Sequence, residues 1–181
     1  MLSRLSGFAG PISGRNVSNW TFRYFKFQVN ATRGISAGDA ATYPNGMVQL
    51  AEFEMMFVGT KVSYAGITAT NPGGAAPAGQ GPDKAVDGDE TTVWIDWSGN
   101  DSTVQPRSYA LVLDFGSPRA VDSFRYKTAA DVIERDPVQW VLSGSTDNST
   151  WRVLHTQSTN ATITESRRTY TQLFYLNRGG S

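Results

Sequence analysis

Apolar and polar residues alternate along much of the chain with a period of two. The clearest stretch is residues 22–29, in which Phe25, Phe27 and Val29 alternate with Lys26 and Gln28. Such alternation places one face of an extended strand in a core and the other face in water. Comparable apolar stretches follow at 48–57, 109–115, 121–127, 138–142, 151–155 and 170–176. No segment sustains a helical period, so the pattern predicts an all-β protein.

Clusters of Gly, Pro, Asn and Ser separate these stretches, and the longest cluster covers residues 71–82. Short strands divided by such loops are typical of an antiparallel β-sandwich of the jelly-roll kind. The predicted core consists of the large apolar residues at inward positions: Phe25, Phe27, Leu50, Phe53, Trp94, Leu111, Leu113, Phe124, Trp140, Leu142 and Trp151.

The length of 181 residues favours one domain with a sizeable core. We assign it to residues 20–176, with a short tail at 177–181. Residues 1–19 contain scattered apolar positions, Leu2, Leu5, Phe8 and Ile12, among Gly, Ser and Arg. We expect this segment to be an arm that docks on other protein subunits of an assembly.

Charge and cysteine content exclude several classes of function. The 16 basic and 16 acidic residues balance, and no Lys or Arg run forms a patch for a polyanion, so nucleic acid is not an expected partner. The absence of Cys excludes disulfides and a zinc ribbon. No apolar run has the length of a membrane span or of a secretion signal, so we expect no membrane insertion.

The segment 84–94 combines acidic residues with a Gly-centred turn. Asp87 and Asp89 can present two carboxylates on one side of a turn at Gly88, while Thr92 offers a hydroxyl and Lys84 a backbone carbonyl. Calcium prefers such a set of oxygen ligands. The alternative is an ordinary Asp-Gly turn solvated by water.

Three segments, taken in their order along the chain, resemble a known family. They are residues 82–89 with Trp94, residues 111–116, and residues 140–151. They are similar to successive strands and turns of the discoidin, or coagulation-factor type C, domains, a pattern shared with family 32 carbohydrate-binding modules and fucose-binding lectins. The resemblance implies a galactose-binding-like jelly roll.

The strand order departs from that family. An aromatic-basic segment at 23–27 and a Glu-containing segment at 49–54 precede the acidic turn, whereas the family usually ends with such strands. The chain therefore resembles a circular permutation. In calcium-binding relatives a Glu of the last strand completes the metal site, and Glu52 is the matching residue. The resemblance implies a structural calcium ion; the alternative is that Glu52 is an exposed strand residue.

The expected ligand surface lies in loops. Residues 128–137 contain Asp131, Glu134, Arg135 and Asp136, and Trp97 lies in a second loop. An aromatic platform edged by charged groups suits a sugar, which has an apolar ring face and a rim of hydroxyls. The alternative is a salt-bridged turn, with Trp97 closing the end of the barrel.

Catalytic motifs are weak. Residues 34–38 have the Gly-x-Ser-x-Gly spelling of a nucleophile elbow, but that motif needs a strand-to-helix turn and a histidine. The sole histidine, His155, lies in a strand pattern and is expected to be half-exposed. We therefore expect no enzyme.

Three functions remain open. The first is a non-catalytic module that binds a glycan or glycoprotein and is displayed outside the cell or on a particle such as a virion. The second is a structural subunit, decorating a virus or phage shell, that uses the jelly roll for protein contacts only. The third is a hydrolase.

Overall fold

The structure of the chain, a computed structural model, describes residues 20–34, 47–98 and 109–177. The predicted arm at 1–19 and most of the predicted tail lie outside these residues. The strands are β1 (Trp20–Thr32), β2 (Val48–Leu50), β3 (Glu52–Phe57), β4 (Thr60–Lys61), β5 (Thr68–Thr70), β6 (Trp94–Asp96), β7 (Ala110–Val121), β8 (Ser123–Lys127), β9 (Pro137–Ser145), β10 (Arg152–Gln157) and β11 (Phe174–Tyr175). Two 3₁₀ turns cover Pro82–Ala85 and Ile133–Arg135.

The strands form an antiparallel sandwich. One sheet has the order β10-β9-β1-β7-β5, and the other has the order β11-β8-β3-β4. A short ribbon pairs β2 with β6. Strands account for 48% of the described residues and helices for 6%, which confirms the all-β prediction. In the described part of the chain, no helix has the length and apolarity that a membrane crossing requires.

Aromatic side chains join the two sheets. Phe27 of β1 lies 4.9 Å from Phe53 of β3 and 5.7 Å from Trp140 of β9, measured between ring centroids. The predicted core residues are buried, with one exception. The prediction for Trp151 is wrong: its ring is half-buried, and the Lys26 ammonium lies 4.5 Å from the ring centroid on the outer side of the sheet.

Several strands differ from the predicted ranges because pairing partners, not local pattern, set their ends. The stretch 48–57 is divided at Ala51, so that β2 pairs with β6 while β3 pairs with β8. The stretch 170–176 contains only β11 and one isolated bridge from Tyr170 to Lys127. The short β5 was not predicted, since three residues carry too little alternation to be recognised.

β1 connects two ends of the molecule with different roles. Its thirteen residues span about 40 Å at roughly 3.3 Å per residue. At its start, the Trp20 indole N–H donates to the backbone oxygen of Asn177 over 3.0 Å. At its end, Thr32 pairs with Pro137. We call these the anchor end and the loop end. The described chain therefore enters and leaves the sandwich side by side at the anchor end.

Candidate functional site

The acidic turn lies beyond the 3₁₀ turn Pro82–Ala85 and is centred on Gly88, whose φ of 77° is accessible to glycine at little cost. One oxygen of Asp87 accepts the N–H of Asp89 over 2.9 Å, and the Thr92 hydroxyl donates to Asp87 over 3.0 Å. The Lys84 ammonium also contacts Asp87, at 3.2 Å. Asp87 and Thr92 thus meet on one side of the turn, whereas Lys84 contacts Asp87 through its ammonium and not through the carbonyl predicted as a ligand.

Asp89 faces a different way. Its carboxylate accepts the backbone N–H of Thr91 over 2.9 Å and the Thr91 hydroxyl over 2.6 Å. These bonds lower the pKa of Asp89. The backbone oxygen of Asp89 lies 3.0 Å from the Thr92 hydroxyl and shares its single donor hydrogen with Asp87. The side chain of Asp89 therefore caps the turn, and its carbonyl is the group closest to the other predicted ligands.

Glu52 of β3 reaches this turn from the second sheet. It is only 1% exposed, which contradicts the alternative of an exposed strand residue. Its Oε1 accepts the N–H of Gly88 over 2.9 Å, while its buried Oε2 has no hydrogen-bond partner. The Lys61 ammonium lies 3.9 Å from Oε2, too far for a hydrogen bond. A carboxylate oxygen thus remains unsatisfied in the interior.

The environment of Glu52 makes its charge costly. The pKa of Glu52 is raised to about 7, mainly by burial; the Lys61 ammonium opposes this rise, and the nearby Asp87 carboxylate contributes to it. A divalent cation would remove the repulsion between the two acids and supply a partner for Oε2. Carboxylate, hydroxyl and carbonyl oxygens are the ligands that calcium prefers. The described residues hold no group of three or more His, Cys, Asp or Glu side chains arranged for a metal, so backbone oxygens would have to complete such a site.

At the loop end, Trp97 follows β6 and exposes 42% of its surface. Its backbone N–H is fixed by the Ala75 oxygen at 2.9 Å. In the ribbon, Gln49 lies opposite Ile95, two residues before Trp97. The ladder ends at Asp96, so the exposed indole lies just beyond the strand that pairs with β2.

Gln49 joins the ribbon to the predicted ligand loop. Its side-chain amide donates to Asp131 Oδ1 over 2.6 Å and accepts from Arg135 Nη1 over 3.1 Å. Gln49 is 2% exposed, whereas Asp131 is exposed and Arg135 half-buried. The structure thus joins Asp131 and Arg135 through Gln49, while Trp97 is exposed just beyond β6, the strand that pairs with β2.

Asp136 does not belong to this surface. It is fully buried, and both its oxygens accept from the Arg167 guanidinium, with Nη1 to Oδ1 at 2.9 Å. A second guanidinium, that of Arg33, lies 3.6 Å away. Burial raises the pKa of Asp136, against the lowering effect of Arg167. The prediction that Asp136 contacts a ligand is therefore corrected: it forms a structural ion pair in the interior.

Glu134 fixes the loop through its backbone. Its oxygen accepts the N–H of Gly34 over 2.9 Å, and a Cβ at position 34 would lie 2.8 Å from the Glu134 Cβ. The close approach explains a glycine at this position. Glu134 is exposed and directly precedes Arg135 in the loop.

The hydrolase motif gains no support from the geometry. Ser36 lies outside the described residues. His155 is half-exposed as predicted, and its Nδ1 accepts from the Trp140 indole N–H at 3.3 Å. Its ring also lies against Phe124 and Phe174. His155 is thus part of the aromatic packing.

Sequence reasoning missed Gln49. A Gln between the apolar residues Val48 and Leu50 predicts an outward-facing position on a half-exposed strand, yet all three residues are buried. The sequence feature that could have identified Gln49 is a polar residue within an apolar segment too short to have a solvent-exposed face.

The F5/8 type C domain model matches residues 66–178. No curated protein matches the chain. The matched segment leaves out β1, β2, β3 and β4, yet β1 lies between β7 and β9 in the middle of its sheet, and β3 pairs with β8 in the other. Strands that precede the matched segment thus complete both sheets. Together with the contact between Trp20 and Asn177, this is the arrangement that a circular permutation requires.

Proposed function

Because the chain belongs to the F5/8 type C domain family, we propose that it is a non-catalytic module that binds a glycan or glycoprotein and is displayed outside the cell or on a particle surface. Domains of this family are often carbohydrate- or ligand-binding modules, are generally non-catalytic and are typically extracellular.

The observation that carries the proposal is the surface around Gln49. At the loop end Gln49 joins a guanidinium and a carboxylate, and an exposed indole follows β6, the strand that pairs with the strand of Gln49. The aromatic face suits the apolar face of a sugar ring, and the two charged groups suit its hydroxyls. The chain enters and leaves at the other end of β1, so a tethered module would direct this surface away from its support.

A matched pair of aromatic substitutions tests the proposal. Trp97→Ala removes the exposed ring at the loop end, and Tyr175→Ala removes a ring that is 57% exposed on β11 at the anchor end. We expect Trp97→Ala to weaken binding on a glycan array at least about fivefold, since stacked rings contribute about 1 kcal/mol or more. Tyr175→Ala should bind like the wild type. The proposal fails if the wild type binds no glycan, or if both variants bind equally well.

We also infer a structural calcium ion at the acidic turn. Glu52 and Asp87 would supply carboxylates, Thr92 its hydroxyl, and Lys84 and Asp89 their backbone carbonyls. The support is the unpartnered, buried Oε2 of Glu52 beside the Asp87 carboxylate. The ion would tie the acidic turn to β3 and would take no part in chemistry.

Thermal unfolding tests the calcium ion. An ion bound only by the folded state at 100 times its dissociation constant adds about 2.7 kcal/mol. We expect calcium to raise the melting temperature of the wild type and to leave that of Glu52→Gln unchanged. Asp122→Asn, which changes a buried carboxyl at the anchor end, is the control and should retain the calcium response. Equal melting curves of the wild type in calcium and in chelator would exclude the site.

A structural subunit is the second candidate, favoured by one observation at the anchor end. Val58 and Tyr175 are 66% and 57% exposed there. Asp122 connects the two segments. Its carboxylate accepts the backbone N–H of Val58, and its backbone oxygen accepts the N–H of Leu176, which follows Tyr175. If this function holds, deletion of residues 1–19 should leave a folded domain that no longer joins its assembly, and the wild type should bind no glycan. Unchanged incorporation of the shortened chain would contradict a docking arm.

A further inference from the structure

Asp131 and Arg135 carry opposite charges four positions apart in one loop, and such neighbours commonly pair with each other. Here no ion pair joins these two described side chains; each bonds to Gln49 instead. The amide of Gln49 lies between them as a neutral spacer.

The spacer is fixed in place. Gln49 is 2% exposed, and its strand neighbours Val48 and Leu50 are fully buried. β2 is paired along its whole length with β6. Strand pairing fixes the Gln49 backbone and burial restricts its side chain, so the amide is a defined point to which both charged groups bond.

Both charged groups keep bonding capacity. A carboxylate accepts at two oxygens, and only Oδ1 of Asp131 bonds to Gln49. A guanidinium has five N–H donors, and one nitrogen of Arg135 bonds to Gln49. We propose that Gln49 is a positioning residue that keeps Asp131 and Arg135 apart, so that they bind adjacent hydroxyls of a neutral pyranoside. One hydroxyl donates to Asp131, and its neighbour accepts from Arg135.

The charges around the spacer oppose an acidic sugar. Asp131 and the exposed Glu134 bring two carboxylates to the loop against the guanidinium of Arg135, while the nearby Arg167 and Arg33 guanidinium groups are engaged by the buried Asp136. A uronic acid would meet this excess of like charge, whereas a hydroxyl can serve as donor and acceptor together. The inference rests on the proposed glycan binding and names its ligand class.

Gln49 also lies outside the segment 66–178 that the family model matches. A strand contributed by the N-terminal part of the chain therefore organises a loop of the matched part.

Isothermal titration calorimetry tests the inference. The full chain, in the presence of calcium, is titrated with neutral methyl pyranosides and with the corresponding uronic acids. We expect the wild type to bind at least one neutral sugar and its uronic acid at least about tenfold more weakly. Gln49→Met removes the spacer and allows Asp131 to capture Arg135, so neutral-sugar affinity should fall about tenfold. Gln172→Met, which alters an exposed Gln bonded to the Thr162 oxygen, should bind like the wild type.

A double variant distinguishes positioning from general support of the fold. In the Asp131→Asn background the carboxylate that Gln49 keeps apart from Arg135 is absent, so Gln49→Met should reduce affinity less than about threefold. A full tenfold loss in that background would overturn the inference, as would preference for the uronic acid or wild-type affinity of Gln49→Met. If Gln49→Met does not fold, Gln49→Glu serves instead. The new carboxylate still accepts a hydrogen bond from Arg135 but repels Asp131. Wild-type sugar affinity of Gln49→Glu would then equally overturn the inference. Absence of any sugar binding by the wild type would instead refute the proposed function.

Discussion

The loop end and the anchor end are held together by different kinds of contact. At the loop end, buried polar side chains bond to partners far away in sequence: Glu52 to the acidic turn, Gln49 to the ligand loop, and Asp136 to Arg167. At the anchor end, the described contacts each involve a backbone group: Asn177 N–H donates to the Leu154 oxygen at 2.7 Å, the Trp20 indole donates to the Asn177 oxygen, and the Asp122 carboxylate accepts the N–H of Val58. Side-chain identity should therefore matter much more at the loop end.

The largest effect is expected from the buried ion pair. Asp136→Ala leaves the Arg167 guanidinium without its partner, and breaking a buried pair in this way costs about 3–5 kcal/mol. The neighbouring Glu134→Ala is the control, because Glu134 is exposed, and it should change the free energy of unfolding by less than about 0.5 kcal/mol. Urea denaturation measures both. Similar values for the two variants would show that the loop end is not held by this pair.

In the presence of chelator, Glu52 should make the free energy of unfolding depend on pH. Its folded-state pKa, about 7, lies above its ordinary value of 4.5, so the folded protein retains a proton that the unfolded chain releases. Wild-type stability relative to Glu52→Gln should therefore be highest below about pH 4.5 and fall as the pH rises to about 7. At about 1.4 kcal/mol per pKa unit, the fall is about 3 kcal/mol.

Urea denaturation of the two proteins at several pH values measures this difference. Comparison with Glu52→Gln cancels the titration of the other carboxyls. A difference that stays constant from pH 4.5 to 7.5 would contradict an ionisable, desolvated Glu52.

The smallest effect is expected at the anchor end. Val58 has a φ of 49°, a left-handed conformation that is unfavourable for a β-branched residue. Val58→Gly should stabilise the domain by about 1 kcal/mol, because glycine relieves this strain. Val153→Gly, at an exposed position within β10, should instead destabilise by about 0.5–1 kcal/mol. Calorimetric melting checks the opposite signs. Destabilisation by Val58→Gly would mean that the Val58 side chain makes contacts that outweigh its strain.

The sandwich was predictable because its pattern is local. Phe25, Phe27 and Val29 alternate with outward residues, and this alternation alone placed β1 correctly. Trp151 was misplaced because it comes just before β10, where alternation no longer decides the facing, and its partner Lys26 belongs to another strand. Local pattern thus predicted the strands and not the contacts at their ends.

The site was less predictable because its contacts are non-local. Asp131 and Asp136 look alike in sequence, but one bonds to Gln49, 82 positions away, and the other to Arg167, 31 positions away. No nearby residue distinguishes the surface acid from the buried one. Glu52 was identified through family resemblance, whereas its unpartnered oxygen could be seen only in the structure.

The long central strand also determines how the module would respond to mechanical tension. If a ligand held at the loop end pulls against an attachment at Trp20 and Asn177, the force runs nearly parallel to β1. This strand is hydrogen-bonded to β7 on one side and to β9 on the other. Both ladders would be sheared as a whole, with many hydrogen bonds loaded together. Pulling the two adjacent chain ends apart would instead load the contacts at the anchor end one after another. The same domain would thus resist detachment forces better than forces that separate its own termini.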